Sequence, residues 1–223
     1  MNLTTLLIAI NVIAFVWETV SAGGFRMLTG DVTNAFLFDH GALVGLAATQ
    51  YGQWWRIVTA AFLHGSLIHI AMNMFALSQV GTVCEWLFGR TRYALVYAIA
   101  LVGAGVAIAY FAPRDVTVGA SGAIFGLFGA LVAAGLRLGA RGRQLVGQVV
   151  PVIGLNLIIT FTIPNISVAG HVGGLITGFL AGYVLFTMPS RQRDKAYAYA
   201  FPESAEPAAD ETIEQDARAE PQA

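Results

Sequence analysis

Apolar residues along this chain fall in long runs, and polar positions gather between the runs. A helix that crosses the ~30 Å hydrocarbon layer of a bilayer needs about 20 mainly apolar residues. Six stretches reach that length: residues 2–20, 64–88, 93–112, 117–137, 144–163 and 166–187. They predict an all-α fold, a polytopic membrane bundle of six transmembrane helices filling residues 1–188. The first stretch has no basic segment before it and no small-residue cleavage site with a soluble domain behind it. It reads as a permanent span and not as a signal peptide. Residues 22–63 form a long loop that carries Phe36, Leu37, Phe38, Trp54, Trp55 and Phe62. Trp favours the headgroup level, so the loop is expected to lie partly in the outer leaflet.

Composition agrees with a lipid-covered surface. Hydrophobic residues make up 57% of the chain and charged residues 11%, against about 25% charged in a soluble domain. The charge that remains is unevenly placed. From Ser190 onward there are four basic and eight acidic residues; before it, eight basic and five acidic. Residues 189–223 have few large apolar side chains and predict a disordered acidic tail on the cytoplasmic side. Arg and Lys favour cytoplasmic loops. With both termini inside, Arg90, Arg92, Arg137, Arg141, Arg143, Arg191, Arg193 and Lys195 are all cytoplasmic, and Arg26, Arg56 and Arg114 lie outside. The opposite orientation reverses that bias. No basic stripe marks a nucleic-acid surface. Cys84, the single cysteine, leaves neither an intramolecular disulfide nor a multi-cysteine zinc site.

Polar side chains inside spans are costly and mark function by default. The second, fourth and sixth spans run from outside to inside, and they carry His69, Ser121 and His171 four or five positions below their expected outer ends. At 1.5 Å per residue that is a shared depth of roughly 6–8 Å. Asn73 follows His69 by one turn on the same face. Gly122, Gly126, Ala130 and Ala134 repeat every four residues, as do Gly170, Gly174, Gly178 and Gly182. Such small-residue faces let helix backbones approach closely. Packing them together brings Ser121 within reach of His171.

A serine hydroxyl attacks well only when a base takes its proton, and histidine suits that role near neutral pH. No Asp or Glu is expected near this layer, which predicts a Ser121–His171 dyad held by packing instead of a carboxylate. Donors for an oxyanion would be the Ser121 N–H, the Asn73 amide and the His69 imidazole. The bland reading is that each group is structural: a lone span serine bonds back to its own helix, and glycine stripes serve packing alone. Four polar groups at one depth favour the chemical reading. Gly119-Ala120-Ser121-Gly122-Ala123 is not a nucleophile elbow, since its last position is Ala and no strand precedes it. A metalloprotease would need His-Glu-x-x-His, which is absent, and no span carries an Asp for an aspartyl mechanism. His40 and His64 read as loop residues and Cys84 as packing. Trp55 and Arg56 read as interfacial anchors, Glu85 as a structural anchor with Arg90 or Arg92, and Asn156 as an interhelical hydrogen bond.

These residues resemble the rhomboid intramembrane serine proteases. The segment from Gly52-Gln53-Trp54-Trp55-Arg56 to His64, His69 and Asn73 is similar to that family's first loop and second span. Gly119-Ala120-Ser121-Gly122 resembles its Gly-x-Ser-Gly motif, and Ala169-Gly170-His171 with Gly173 and Gly174 resembles its sixth-span histidine motif. The resemblance covers about residues 2–188. It implies an endopeptidase with Ser121 and His171 catalytic, His69 and Asn73 stabilising the oxyanion, Gly119 in support, and no cofactor or metal. Single-span membrane proteins would be the substrates, entering laterally past the fifth span, with small and helix-destabilising residues favoured near the outer face. Family members often carry Tyr four residues after the serine. Here it is Phe125, a ring that can stack on His171 without a hydroxyl. A bacterial plasma membrane fits a six-span core with no added span. The alternatives are a non-catalytic relative that holds membrane helices, and a small transporter. The first kind typically lacks the serine or histidine; the second usually binds nearer the midplane.

Overall fold

The computed structural model describes residues 1–23, 26 and 32–186. The expected tail lies outside the described residues. Among the described residues nine α-helices follow in order: α1 Leu3–Ser21, α2 Asn34–Asp39, α3 Gly45–Tyr51, α4 Arg56–Ala60, α5 Leu67–Phe88, α6 Arg90–Phe111, α7 Ser121–Arg137, α8 Arg143–Thr162 and α9 Val168–Leu185. Five of them (α1, α5, α6, α8 and α9) are long and apolar enough to cross a membrane, and α7 is a shorter apolar helix of 17 residues. This is the all-α membrane bundle that the apolar runs predict.

Side-chain caps set where several helices begin. The Ser66 hydroxyl accepts from the N–H of His69 at 3.2 Å, and the Ser167 hydroxyl accepts from the N–H of Gly170 at 3.1 Å. Each cap satisfies one orphan donor of a first turn. Each also fixes a histidine, His69 or His171, within the first four residues of its helix.

The short helix α7 sits at the centre, packed chiefly against α9 and also against α6, α8 and α5. The two glycine stripes meet as their spacing predicts. A Cβ on Gly178 would fall onto the backbone of Gly126, and one on Gly174 onto the carbonyl of Gly122. Such approach is the reason for glycine at these sites. By contrast α8 buries one narrow face, Leu145, Val149, Ile153 and Thr160, and leaves apolar residues such as Leu155, Ile158 and Phe161 exposed for lipid.

The fourth expected span is corrected at its start: residues 117–120 are not helical, and α7 begins at Ser121 itself. Ser121 is therefore the first residue of its helix and not one turn inside, so it does not share the expected depth below a helix end. The loop between α1 and α5 explains how. Leu43 and Thr117 form an isolated antiparallel bridge with N–H···O distances of 3.0 and 2.9 Å. The Gly119 N–H donates to the carbonyl of Ala60 at 2.8 Å. These bonds pair both backbone groups of Thr117 and the N–H of Gly119, and so keep the chain out of the helix until Ser121.

Arg56 holds that loop together, which corrects its reading as an interfacial anchor. It is buried. Its Nη1 donates to the carbonyls of Phe38 and Ala42 at 2.6 and 3.0 Å, and its Nε to Gln53 Oε1 at 2.6 Å. Its guanidinium lies over the Phe38 and Trp55 rings. Trp54 and Trp55 are exposed, as membrane-facing aromatics would be. Glu85 is an anchor within electrostatic reach of Arg90, as expected, and its hydrogen-bond partners are on α1: it accepts from the N–H groups of Leu3 and Thr4 at 2.7 and 2.9 Å and from the Thr4 hydroxyl at 2.8 Å. Asn156 does not bridge helices either. Its amide donates to Val152 in its own helix at 2.8 Å. Cys84 is buried packing, its thiol 3.5 Å from the Leu127 carbonyl.

Candidate active site

Ser121 and His171 meet where α7 and α9 begin. Ser121 Oγ lies 2.8 Å from His171 Nε2, a distance at which a proton can pass between them. His171 is buried and Ser121 half-buried. Phe125, one turn below Ser121, stacks on the imidazole with centroids 4.1 Å apart and planes at 14°. The ring clamps His171 from one side by contact alone, a geometry that needs no hydroxyl.

Helix geometry supplies donors beside the serine. The first N–H groups of a helix have no intrahelical acceptor. In α7 the first helical bond belongs to Ile124, whose N–H reaches Ala120 at 3.1 Å. The Ser121 N–H sits ahead of it, at the positive end of the helix.

His69 and Asn73 approach through Gly119. A Cβ at Gly119 would lie 2.7 Å from His69 Nε2 and 3.9 Å from Asn73 Nδ2. Gly119 also has φ +119°, where a side chain is strained. Glycine is therefore required here twice, for its backbone angle and for the imidazole against it. One Asn73 N–H donates to the His69 carbonyl at 2.9 Å; an amide has a second. A pocket lined by Gly119, Ser121 and His171 is walled by Leu43, Ile57, Leu101 and Ile108.

Three residues here escape the sequence reading. Thr160 of α8 is buried, and its Oγ1 lies 2.8 Å from His171 Nδ1. His171 thus has a polar partner on each ring nitrogen, which corrects the expectation that packing alone holds it. The available signal was the inward face of α8, Leu145, Val149 and Ile153, which continues to a threonine. His64 and Glu18 are the others. Both are fully buried, and both Glu18 carboxylate oxygens accept from the His64 N–H, at 3.3 and 3.0 Å. The His64 ring stands edge-on to His69 with centroids 5.0 Å apart. An acidic residue therefore does lie close to the polar layer, on the His69 side. His64 and His69 do not share a helix face, but His64 precedes the Ser66 cap, and the loop folds it back onto His69. His40, also outside the long helices, stacks on Phe36 and bonds its carbonyl at 2.8 Å.

Residues 51–188 match the family description Rhomboid domain. The chain is 35% identical over 183 residues to Rhomboid protease GluP of Bacillus subtilis (strain 168), covering 82% of this chain and 34% of that protein. It is 35% identical over 152 residues to RHOMBOID-like protein 6, mitochondrial, of Arabidopsis thaliana, covering 67% of this chain and 49% of that protein. RHOMBOID-like protein 4 of Arabidopsis thaliana is 34% identical over 140 residues, covering 60% of this chain and 35% of that protein. This chain thus spans a third to a half of these curated relatives. With the domain match covering most of its length and its membrane-spanning helices arranged as described, the chain belongs to the rhomboid family.

Proposed function

We propose that this chain is an intramembrane serine endopeptidase that cleaves single-span membrane proteins near the outer membrane face. The observation that carries the reading is the 2.8 Å contact between Ser121 Oγ and His171 Nε2, made at the first residue of a short central helix. With 17 residues, α7 rises roughly 25 Å, less than the ~30 Å hydrocarbon layer. The nucleophile then lies inside the layer at the end nearer outside water. Small residues flank it, and the helices that bring His69 and His171 to it are capped by Ser66 and Ser167, which suits acyl transfer better than the holding of membrane helices.

In this mechanism Ser121 Oγ bonds to the scissile carbonyl carbon as its proton passes to His171 Nε2. The carbonyl π pair moves to the oxygen, which takes hydrogen bonds from the Ser121 N–H, His69 and Asn73. Collapse breaks the C–N bond, and the Nε2 proton leaves on the new amine. Water repeats the sequence on the acyl-enzyme and frees the carboxylate and the serine. The substrate helix must unwind first, because its carbonyls are otherwise hydrogen-bonded and shielded. Small and helix-breaking residues at the cut favour that step. Both termini are cytoplasmic, and the membrane is a bacterial plasma membrane.

A fluorophosphonate probe tests the nucleophile. It reacts covalently at Ser121 in the wild type, and the reaction is lost in Ser121→Ala and in His171→Ala. Equal labelling of all three proteins would exclude the dyad.

A further inference from the structure

We infer that Thr160 is a positioning residue for the proposed reaction: it fixes the tautomer of His171 so that Nε2 faces Ser121 as the bare base. The inference rests on the protease reading only for its kinetic consequence.

Thr160 Oγ1 lies 2.7 Å from the Asn156 carbonyl oxygen and 2.8 Å from His171 Nδ1. A hydroxyl carries one proton and a carbonyl none. Two oxygens at 2.7 Å with no proton between them repel, so the hydroxyl proton lies on the Asn156 contact, the usual back-bond of a helical threonine. The remaining close contact of Oγ1 then needs its proton from Nδ1. Neutral imidazole has one N–H, so Nε2 is unprotonated, and it is the atom 2.8 Å from Ser121 Oγ. The opposite tautomer would present an N–H to the serine and could not accept its proton.

The location strengthens the reading. Thr160 is buried near the end of α8, and α8 turns through residues 163–167 directly into α9. Asn165 takes φ +66° in that turn. The helix that bears the base and the helix that orients it are therefore the two arms of one hairpin. Phe125 holds the imidazole plane by stacking but has no atom that can choose between the nitrogens. That choice falls to Thr160.

The test uses the full chain in detergent with nitrogen-15-labelled histidine, and His171 is assigned by its loss in His171→Gln. The wild-type nitrogen shifts are expected to show the neutral Nδ1–H form. Thr160→Val keeps the shape and removes the acceptor. It should shift His171 toward the Nε2–H form, lower kcat on a single-span substrate about tenfold with KM little changed, and slow fluorophosphonate labelling by a similar factor. Thr160→Ser restores the hydroxyl and should return both rates to within about threefold of wild type. An Nε2–H form in the wild type, or a Thr160→Val enzyme with wild-type kcat, would overturn the inference. If wild type neither cleaves nor labels, the protease reading falls, and the tautomer measurement still decides the role of Thr160.

Discussion

At the scale of single residues, Ser121, His69, Asn73 and His171 were legible because polar side chains in apolar runs stand out. Thr160 was not, because threonine in a helix commonly satisfies itself by back-bonding, and Thr160 does so while also serving His171. In the sequence His64 is an ordinary loop histidine, because burial outside a helix leaves no periodic mark. Its burial, and secondarily the nearby His69, pushes its imidazole down to about 3, with the Phe62 carbonyl partly offsetting the shift. Unfolded, it titrates near 6.5. The fold holds the neutral form, so the His64 contribution is complete above pH 6.5 and declines as pH falls toward 3. From pH 6.5 to 5 that loss is about 2 kcal/mol. Thermal unfolding in detergent should fall more steeply with acid in the wild type than in His64→Gln, with Glu18 and His69 common to both. Parallel curves would contradict this. Arg56 makes a second prediction. Replacing it with Ala leaves the half-buried Phe38 carbonyl and the buried Ala42 carbonyl without its guanidinium, a loss of about 2–4 kcal/mol. Arg56→Lys should recover only part of that, since an ammonium cannot reproduce the fork. Melting temperatures of the three proteins read the order.

At the scale of elements, the six apolar runs and the two glycine stripes carried most of the fold. Hydrophobic length decides which segments can span, and small-residue period decides which helices touch. The start of α7 was not legible, because residues 117–120 are as apolar as a helix but Thr117 and Gly119 are tied by backbone bonds to Leu43 and Ala60, partners nearly 60 residues away or more. The stripes give a sharp contrast between glycines. A methyl at Gly178 meets the Gly126 backbone, which cannot yield, whereas Gly154 in α8 faces open space. Gly178→Ala should cost about 3 kcal/mol by overpacking and lose activity with stability. Gly154→Ala should be neutral or stabilise by up to about 1 kcal/mol. Equal melting temperatures for the two variants would mean that α7 and α9 do not depend on this close approach.

At the scale of the whole molecule, the parts form one chain of support. Arg56 orders the loop, the loop holds residues 117–119, and Gly119 admits His69 beside Ser121. From the other side, the α8–α9 hairpin presents His171 with both ring nitrogens engaged. The sequence pattern could reveal Ser121 and His171 as a candidate pair but not this support, which consists of contacts between segments remote in the chain. The most direct test of the account reconstitutes the purified full chain in lipid vesicles with a model single-span substrate. The wild type should release a cut product whose new terminus maps near the outer face, and Ser121→Ala should release none above background. Cleavage by Ser121→Ala at the wild-type rate would contradict the central claim.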